Sequence, residues 1–180
     1  VAMSPKDALP AAPPVAPETA ALFADIVQLF GLSRPAGACL AAIWRAAQAP
    51  SADDLVRGLG LARSNVSTAL RDLRDWGLVT PARTPGDRRD YFTAPSDPWE
   101  LLRLMMLARQ RRRVEPLIDR LVQAEAASGD VRLAALHAVL SDVAALTPVL
   151  AGSTGATLAQ RLTALAEGPA PEKKKKKKKA

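Results

Sequence analysis

The chain is poor in the residues on which most site chemistry depends. It has one cysteine, Cys39, and one histidine, His137, and aromatic residues make up only 4% of its 180 positions. A single thiol excludes a disulfide within the chain, and the Cys/His spacing of a zinc site is missing. A lone histidine cannot build a metal-binding cluster, and both Cys39 and His137 fall on apolar helical faces, where packing is the expected role. There is no GxSxG elbow, no phosphate-cradling glycine loop and no HExxH, so we expect no catalytic residues, no metal site, no cofactor and no enzyme activity. No apolar run reads as long enough to cross a membrane, and the start lacks the charged, apolar and cleavage regions of a signal peptide. The expected location is the cytoplasm.

Charge of one sign is also scarcer than the total implies. The formal net charge is +7, but residues 173–179 are seven consecutive lysines, and without them the balance is zero. Affinity for a polyanion must therefore come from arginines placed locally against acidic faces elsewhere, with the lysine run adding only non-specific, salt-dependent attraction. Residues 1–18 are rich in proline and alanine and read as an extended, disordered lead, and residues 168–180 read as a disordered, solvated tail.

What the chain does hold is helix. The pattern predicts a first helix over 19–30 with Leu22, Phe23, Ile26, Leu29 and Phe30 on one side, and a second over 35–48 with Cys39, Leu40, Ile43 and Trp44 inward. Ser51, with Asp54 three residues on, reads as the capping box of a short third helix that ends at Gly58 and Gly60. A tight turn leads to a fourth helix, on which Val66, Ala69, Leu70 and Leu73 fall at i, i+3, i+4 and i+7. Its other face carries Arg63, Ser64, Asn65, Ser67, Thr68, Arg71 and Arg74. That face reads equally as an ordinary solvated surface or as a set of groups that read base edges and phosphates. The flanking sequence decides between them. A helix, a tight turn and a polar-faced helix form a helix-turn-helix, and the following residues 78–80 and 90–93 read as two strands joined by the turn residues 84–88. Such a ribbon, tipped by Arg88 and Arg89, reaches the minor groove, and Asp87 is placed to brace one of the two arginines while the other meets DNA. We expect double-stranded DNA as partner, with the protein on the nucleoid when bound.

At NVSTALR (65–71), WGLV (76–79), GDRRDY (86–91) and DPWE (97–100) the chain resembles the MarR-like winged-helix transcription regulators, in particular their GbsR-type branch, over roughly residues 19–150. The resemblance implies a homodimeric bacterial repressor of an inverted-repeat operator, tuned by a small-molecule effector in many members and governing glycine betaine or related osmolytes in some. One departure concerns Ala62, which stands where such helices carry a Ser or Thr cap, so the fourth helix is expected to start as late as Ser64.

Beyond the wing, Asp97, Pro98 and Glu100 predict the start of a long helix, with Pro116 set to kink or divide it. Its arginines 109 and 111–113 read as surface charges paired with Glu115, Asp119 and Glu125, or else as phosphate contacts beside the wing. The last strong element, over 130–150, carries Leu133, Leu136, Leu140, Val143, Thr147 and Leu150 at alternating three and four, the seam of a helix that packs on another, and we assign Leu133, Leu136, Leu140, Val143 and Leu150 to a dimer interface. An effector would sit between the two regions, near Trp44, Trp99 or Met105. The expected architecture is mainly α: a winged helix-turn-helix DNA-binding domain with a two-stranded β-wing over 19–96 and long helices forming a dimerisation region over 97–167. A winged helix used only for protein-protein assembly is the competing reading, and it predicts no salt-sensitive duplex affinity.

Overall fold

The computed structural model describes residues 15–83, 87 and 89–167. The proposed lead up to residue 14, the turn residues 84–86, Arg88 and the lysine tail lie outside the described residues. The order is α1 (Pro17–Phe30), α2 (Arg34–Arg45), α3 (Ala52–Leu59), α4 (Arg63–Asp75), β1 (Thr80–Arg83), β2 (Asp90–Thr93), α5 (Pro98–Arg109), a π-helical turn (Gln110–Val114), α6 (Glu115–Ser128), α7 (Val131–Ala144), α8 (Leu146–Ala151) and α9 (Gly155–Glu167). The fold is mainly helical with one antiparallel two-stranded sheet, a winged helix followed by a helical region.

α1 starts at Pro17, two residues before the expected Thr19, because a proline is pre-set for the first helical position. Its face is also divided differently: Ala24 and Val27 are buried, whereas Leu22 and Leu29 face outward. α1 crosses α2 closely enough that Gly37 lies against the backbone of Ala24. Around that crossing one core gathers Val27, Cys39, Leu40 and Ile43 with Leu55 of α3, the four apolar residues of α4, Phe92 of the wing, and Leu101 and Met105 of α5. Burying side chains of this size contributes roughly 1.5–3 kcal/mol each. Cys39 belongs to this core with no exposed surface, and burial pushes its thiol up to about 12 from the usual 9.0. It is therefore protonated and inert at neutral pH. We expect iodoacetamide to leave Cys39 unmodified in the native protein and to label it fully in denaturant, as read by intact mass; fast native labelling would contradict the packing described.

α5 begins as expected, with Asp97 accepting the Trp99 N–H at 3.0 Å and Pro98 in the first turn. Pro116 lies in the first turn of α6, immediately after the π turn. Proline has no N–H to give and its ring crowds the carbonyl four residues back, so the wider turn absorbs what an α-helix could not. The arginines here correct the expectation of ion pairs with Glu115, Asp119 and Glu125. Arg109 donates from Nη1 to the carbonyl of Leu29, at the end of α1, and Arg112 donates from Nη2 to the carbonyl of Asp75, at the end of α4, at 2.5 Å. Open carbonyls at a helix C-terminus carry partial negative charge, and they draw the guanidinium groups as a carboxylate would.

The seam over 130–150 is split as well. Leu150 is only 3% exposed within its own chain, and Leu133 and Leu140 are half-buried, whereas Leu136 and Val143 point outward together with Val139, Leu146 and Val149. The reason lies in composition: apolar residues surround this helix almost completely, and α6 takes one side of it. Residues 131–151 also correct the expectation that no run is long enough to cross a membrane, since by length and composition alone this helix is. Helices that bury one side on a neighbour and the other on a partner share that property.

Candidate nucleic-acid interface

The site is assembled from α3, α4 and the wing. Ser51 caps α3 by a reciprocal box: its hydroxyl oxygen accepts the Asp54 N–H at 3.3 Å, and the Asp54 carboxylate accepts the Ser51 N–H at 2.9 Å. Burial pushes the Asp54 carboxyl up, but the Ser51 hydrogen bonds and the neighbouring Arg57 outweigh it and hold the group below the ordinary aspartate range. A lowered carboxyl stabilises the fold above its unfolded pKa, and that contribution is lost as pH falls through the folded value. α3 ends in Gly60 at φ 64°, a left-handed position, and the chain re-enters helix at Arg63.

α4 starts at Arg63, not as late as Ser64, with Ala62 in the cap position and no side-chain cap bond. The extended backbone of Ala62 suffices to launch the helix, and a side-chain cap adds only about 1 kcal/mol. Val66, Ala69, Leu70 and Leu73 are buried as their spacing requires, which turns the opposite face outward. Arg63, Ser64, Asn65, Ser67, Thr68 and Arg71 are all exposed on it. Two of these arginines have acidic neighbours: Arg63 meets Asp53 of α3 at 2.8 Å, and Arg71 lies 4.0 Å from Asp72. Both pairs are largely exposed, so they orient the guanidinium groups at little energetic cost to release. No side-chain hydrogen bond engages Ser64, Asn65, Ser67 or Thr68 among the described residues.

The helix ends at Gly77, φ 70°, with the N–H of Leu78 on the carbonyl of Leu73 and the N–H of Gly77 on that of Arg74. Leu78 and Val79 then enter the core, so the strand begins at Thr80 and not at Leu78. In the wing Thr80 pairs with Thr93 and Arg83 with Asp90. The outer edge of β2 is held in turn, because Tyr91 bridges to Ser51 and the Phe92 N–H donates to the carbonyl of Pro50. This link, invisible to strand patterns, fixes the wing to the start of α3.

At the tip, Asp87 braces Arg89. Its carboxylate accepts the Arg89 backbone N–H at 2.9 Å, Nη2 at 2.7 Å and the Tyr91 hydroxyl at 2.7 Å, and the Arg89 guanidinium sits 5.4 Å from the centre of the Tyr91 ring. The Arg89 and Tyr91 hydrogen bonds hold the Asp87 carboxyl far below the usual range. Arg89 thus has its guanidinium committed within the wing. Arg88, the arginine expected to meet DNA, lies outside the described residues.

The three residues expected near an effector are dispersed. Met105 is a core residue, Trp99 is exposed on the first turn of α5, and Trp44 packs against Phe23 with tilted rings, centroids 5.5 Å apart, and with its indole N–H buried and unpartnered. A groove of about 500 Å³ opens elsewhere, between α6 and α7, where His137 Nδ1 stands 3.0 Å from Glu125.

Comparison with known proteins gives this arrangement relatives. A search of curated protein sequences returns no match. A solved structure described as "Crystal Structure of a transcriptional regulator" superposes with a TM-score of 0.61 at 21% sequence identity, over 82% of this chain and 97% of that one. Its fold therefore extends beyond the wing into the helical region. The family model described as MarR family matches residues 23–90, which run from α1 to the first residue of β2, so this winged-helix segment is similar to that family.

Proposed function

We propose that the protein is a sequence-specific transcription regulator of double-stranded DNA, acting in the cytoplasm as a homodimeric repressor that occupies an inverted-repeat operator. The observation that carries this reading is the outward face of α4: polar groups suited to base edges stand exposed on a helix whose other side is locked into the core. The likeness of residues 23–90 to the MarR family supports it. The apolar outer face of α7 and α8 supports the dimer, because a monomer rarely leaves so continuous a patch in water. Assignment to the GbsR-type branch rests on NVSTALR (65–71), WGLV (76–79), GDRRDY (86–91) and DPWE (97–100) taken together. For an effector, the buried and unpartnered indole N–H of Trp44 is the group that a polar ligand would satisfy.

In this reading Asn65, Ser67, Thr68 and Arg71 enter the major groove, and the wing lies along the minor groove. Two copies of α4 would stand about 34 Å apart. Asn65→Ala or Arg71→Ala should cost on the order of 1–3 kcal/mol of operator affinity and relax base preference at one symmetric pair of positions. Selection from randomised duplexes with each variant measures this. Unchanged preference at unchanged affinity for both variants would return α4 to an ordinary solvated face and favour the protein-assembly reading.

A further inference from the structure

Three side chains within four residues reach the ends of three different helices. α1 and α4 terminate alike, each in a left-handed glycine: the Gly31 N–H bonds the carbonyl of Gln28 and that of Leu32 the carbonyl of Val27, as Gly77 and Leu78 do at the end of α4. This arrangement leaves the carbonyl of the last or next-to-last helical residue open. In α1 that carbonyl belongs to Leu29 and is taken by Arg109; in α4 it belongs to Asp75 and is taken by Arg112. Between the two arginines, Gln110 is buried and donates from Nε2 to the carbonyl of Val143, near the end of α7, at 3.1 Å. Arg113 completes the set, its guanidinium 3.6 Å from where a Cβ on Gly31 would stand.

The π turn makes this convergence geometrically available. In a regular α-helix, residues 109, 110 and 112 point in directions about 100° and 200° apart, and the wider turn over Gln110–Val114 re-aims the last of them. The segment thereby touches the helix proposed to read DNA, a helix proposed to dimerise, and α1.

We propose that residues 109–112 form a positioning junction, in which Arg112 sets the angle of α4 relative to α6 and α7 and so fixes the spacing at which a dimer presents its two reading helices. The inference rests on the DNA-binding reading above. Arg112 touches no base; it acts through the carbonyl end of α4.

The test uses the full-length protein and compares Arg112→Ala and Arg112→Lys with Arg111→Ala, a neighbour that loses the same charge and for which no polar contact is described. Duplexes recovered by selection are re-measured with one or two base pairs inserted between the half-sites. Wild type and Arg111→Ala should lose affinity for the altered spacings by about tenfold or more, whereas Arg112→Ala should bind all spacings within about threefold of one another. Arg112→Lys, which keeps a donor, should restore part of the discrimination. Hydrogen exchange supplies a readout that needs no DNA: amides 76–79 should exchange about tenfold faster in Arg112→Ala than in Arg111→Ala. If Arg112→Ala and Arg111→Ala weaken binding to every duplex alike and flatten the salt slope alike, Arg112 is a phosphate contact and the junction is overturned. If wild type binds no duplex, the functional reading fails, and exchange alone then decides: unchanged protection at 76–79 overturns the positioning role as well.

Discussion

Gly37→Ala should cost the protein about 3 kcal/mol or more, because overpacking against rigid neighbours sits at the severe end of small-to-large changes. A Cβ built there falls 2.4 Å from the Cα of Ala24 and 2.6 Å from its N. Neither is the tip of a flexible side chain, so α1 and α2 must separate, and the contacts of Val27 and Leu40 loosen with them. Since a whole domain is stable by only about 5–15 kcal/mol, such a loss is a large share of the total. Gly58→Ala is the matched control. Nothing lies within 4 Å of its added carbon, and Gly58 is helical, so alanine should stabilise by about 0.5–1 kcal/mol through backbone entropy. Urea denaturation measures both. A loss below about 1 kcal/mol at Gly37 would mean that the α1–α2 crossing is looser than described.

The second large effect concerns assembly. Leu136→Asp combined with Val139→Asp should turn a dimer into a monomer and raise the dissociation constant by about a hundredfold or more, since each substitution places a charge where an apolar contact is proposed. The two side chains are 47% and 59% exposed in the single chain, so the subunit itself should keep its circular dichroism spectrum and its fold. Leu140, half-buried against its own subunit, would confuse the two effects. Sedimentation of wild type and variant at micromolar concentration decides it. A monomeric wild type would leave the apolar face without the second copy proposed for it.

Periodicity located α4 because one side of it is core and the other is not: Val66, Ala69, Leu70 and Leu73 contrast with polar residues at every other position. In α7 the contrast is missing, since alanine, valine and leucine occupy nearly all directions. Spacing alone therefore could not tell Leu140, half-buried within the chain, from Leu136, turned away. α1 failed in a smaller way for the same reason: Leu22 and Leu29 are as apolar as the Val27 that is buried. The arginines at 109 and 112 were illegible on other grounds. Their partners are backbone carbonyls, which every residue has, so no sequence pattern marks them. By contrast, the Asp87 brace was readable, because a carboxylate two residues before an arginine at a hairpin tip has few other places to reach. The Tyr91 hydroxyl that joins it was not foreseen.

The π turn at Gln110–Val114 carries a consequence for how chains of this kind diverge. An α-helix advances about 100° per residue, so one residue more or fewer in a regular helix rotates everything beyond it by about that angle. A π turn is such an extra residue, accommodated without breaking the helix. Loss of one residue from positions 110–114 would close the wide turn to an ordinary α-helix and leave α6 running in nearly the same direction, while Arg112 would lose the aim that takes it to the carbonyl of Asp75. Sequence alignments that pass through this segment without a gap would then equate outward residues of α6 in one chain with inward residues in another.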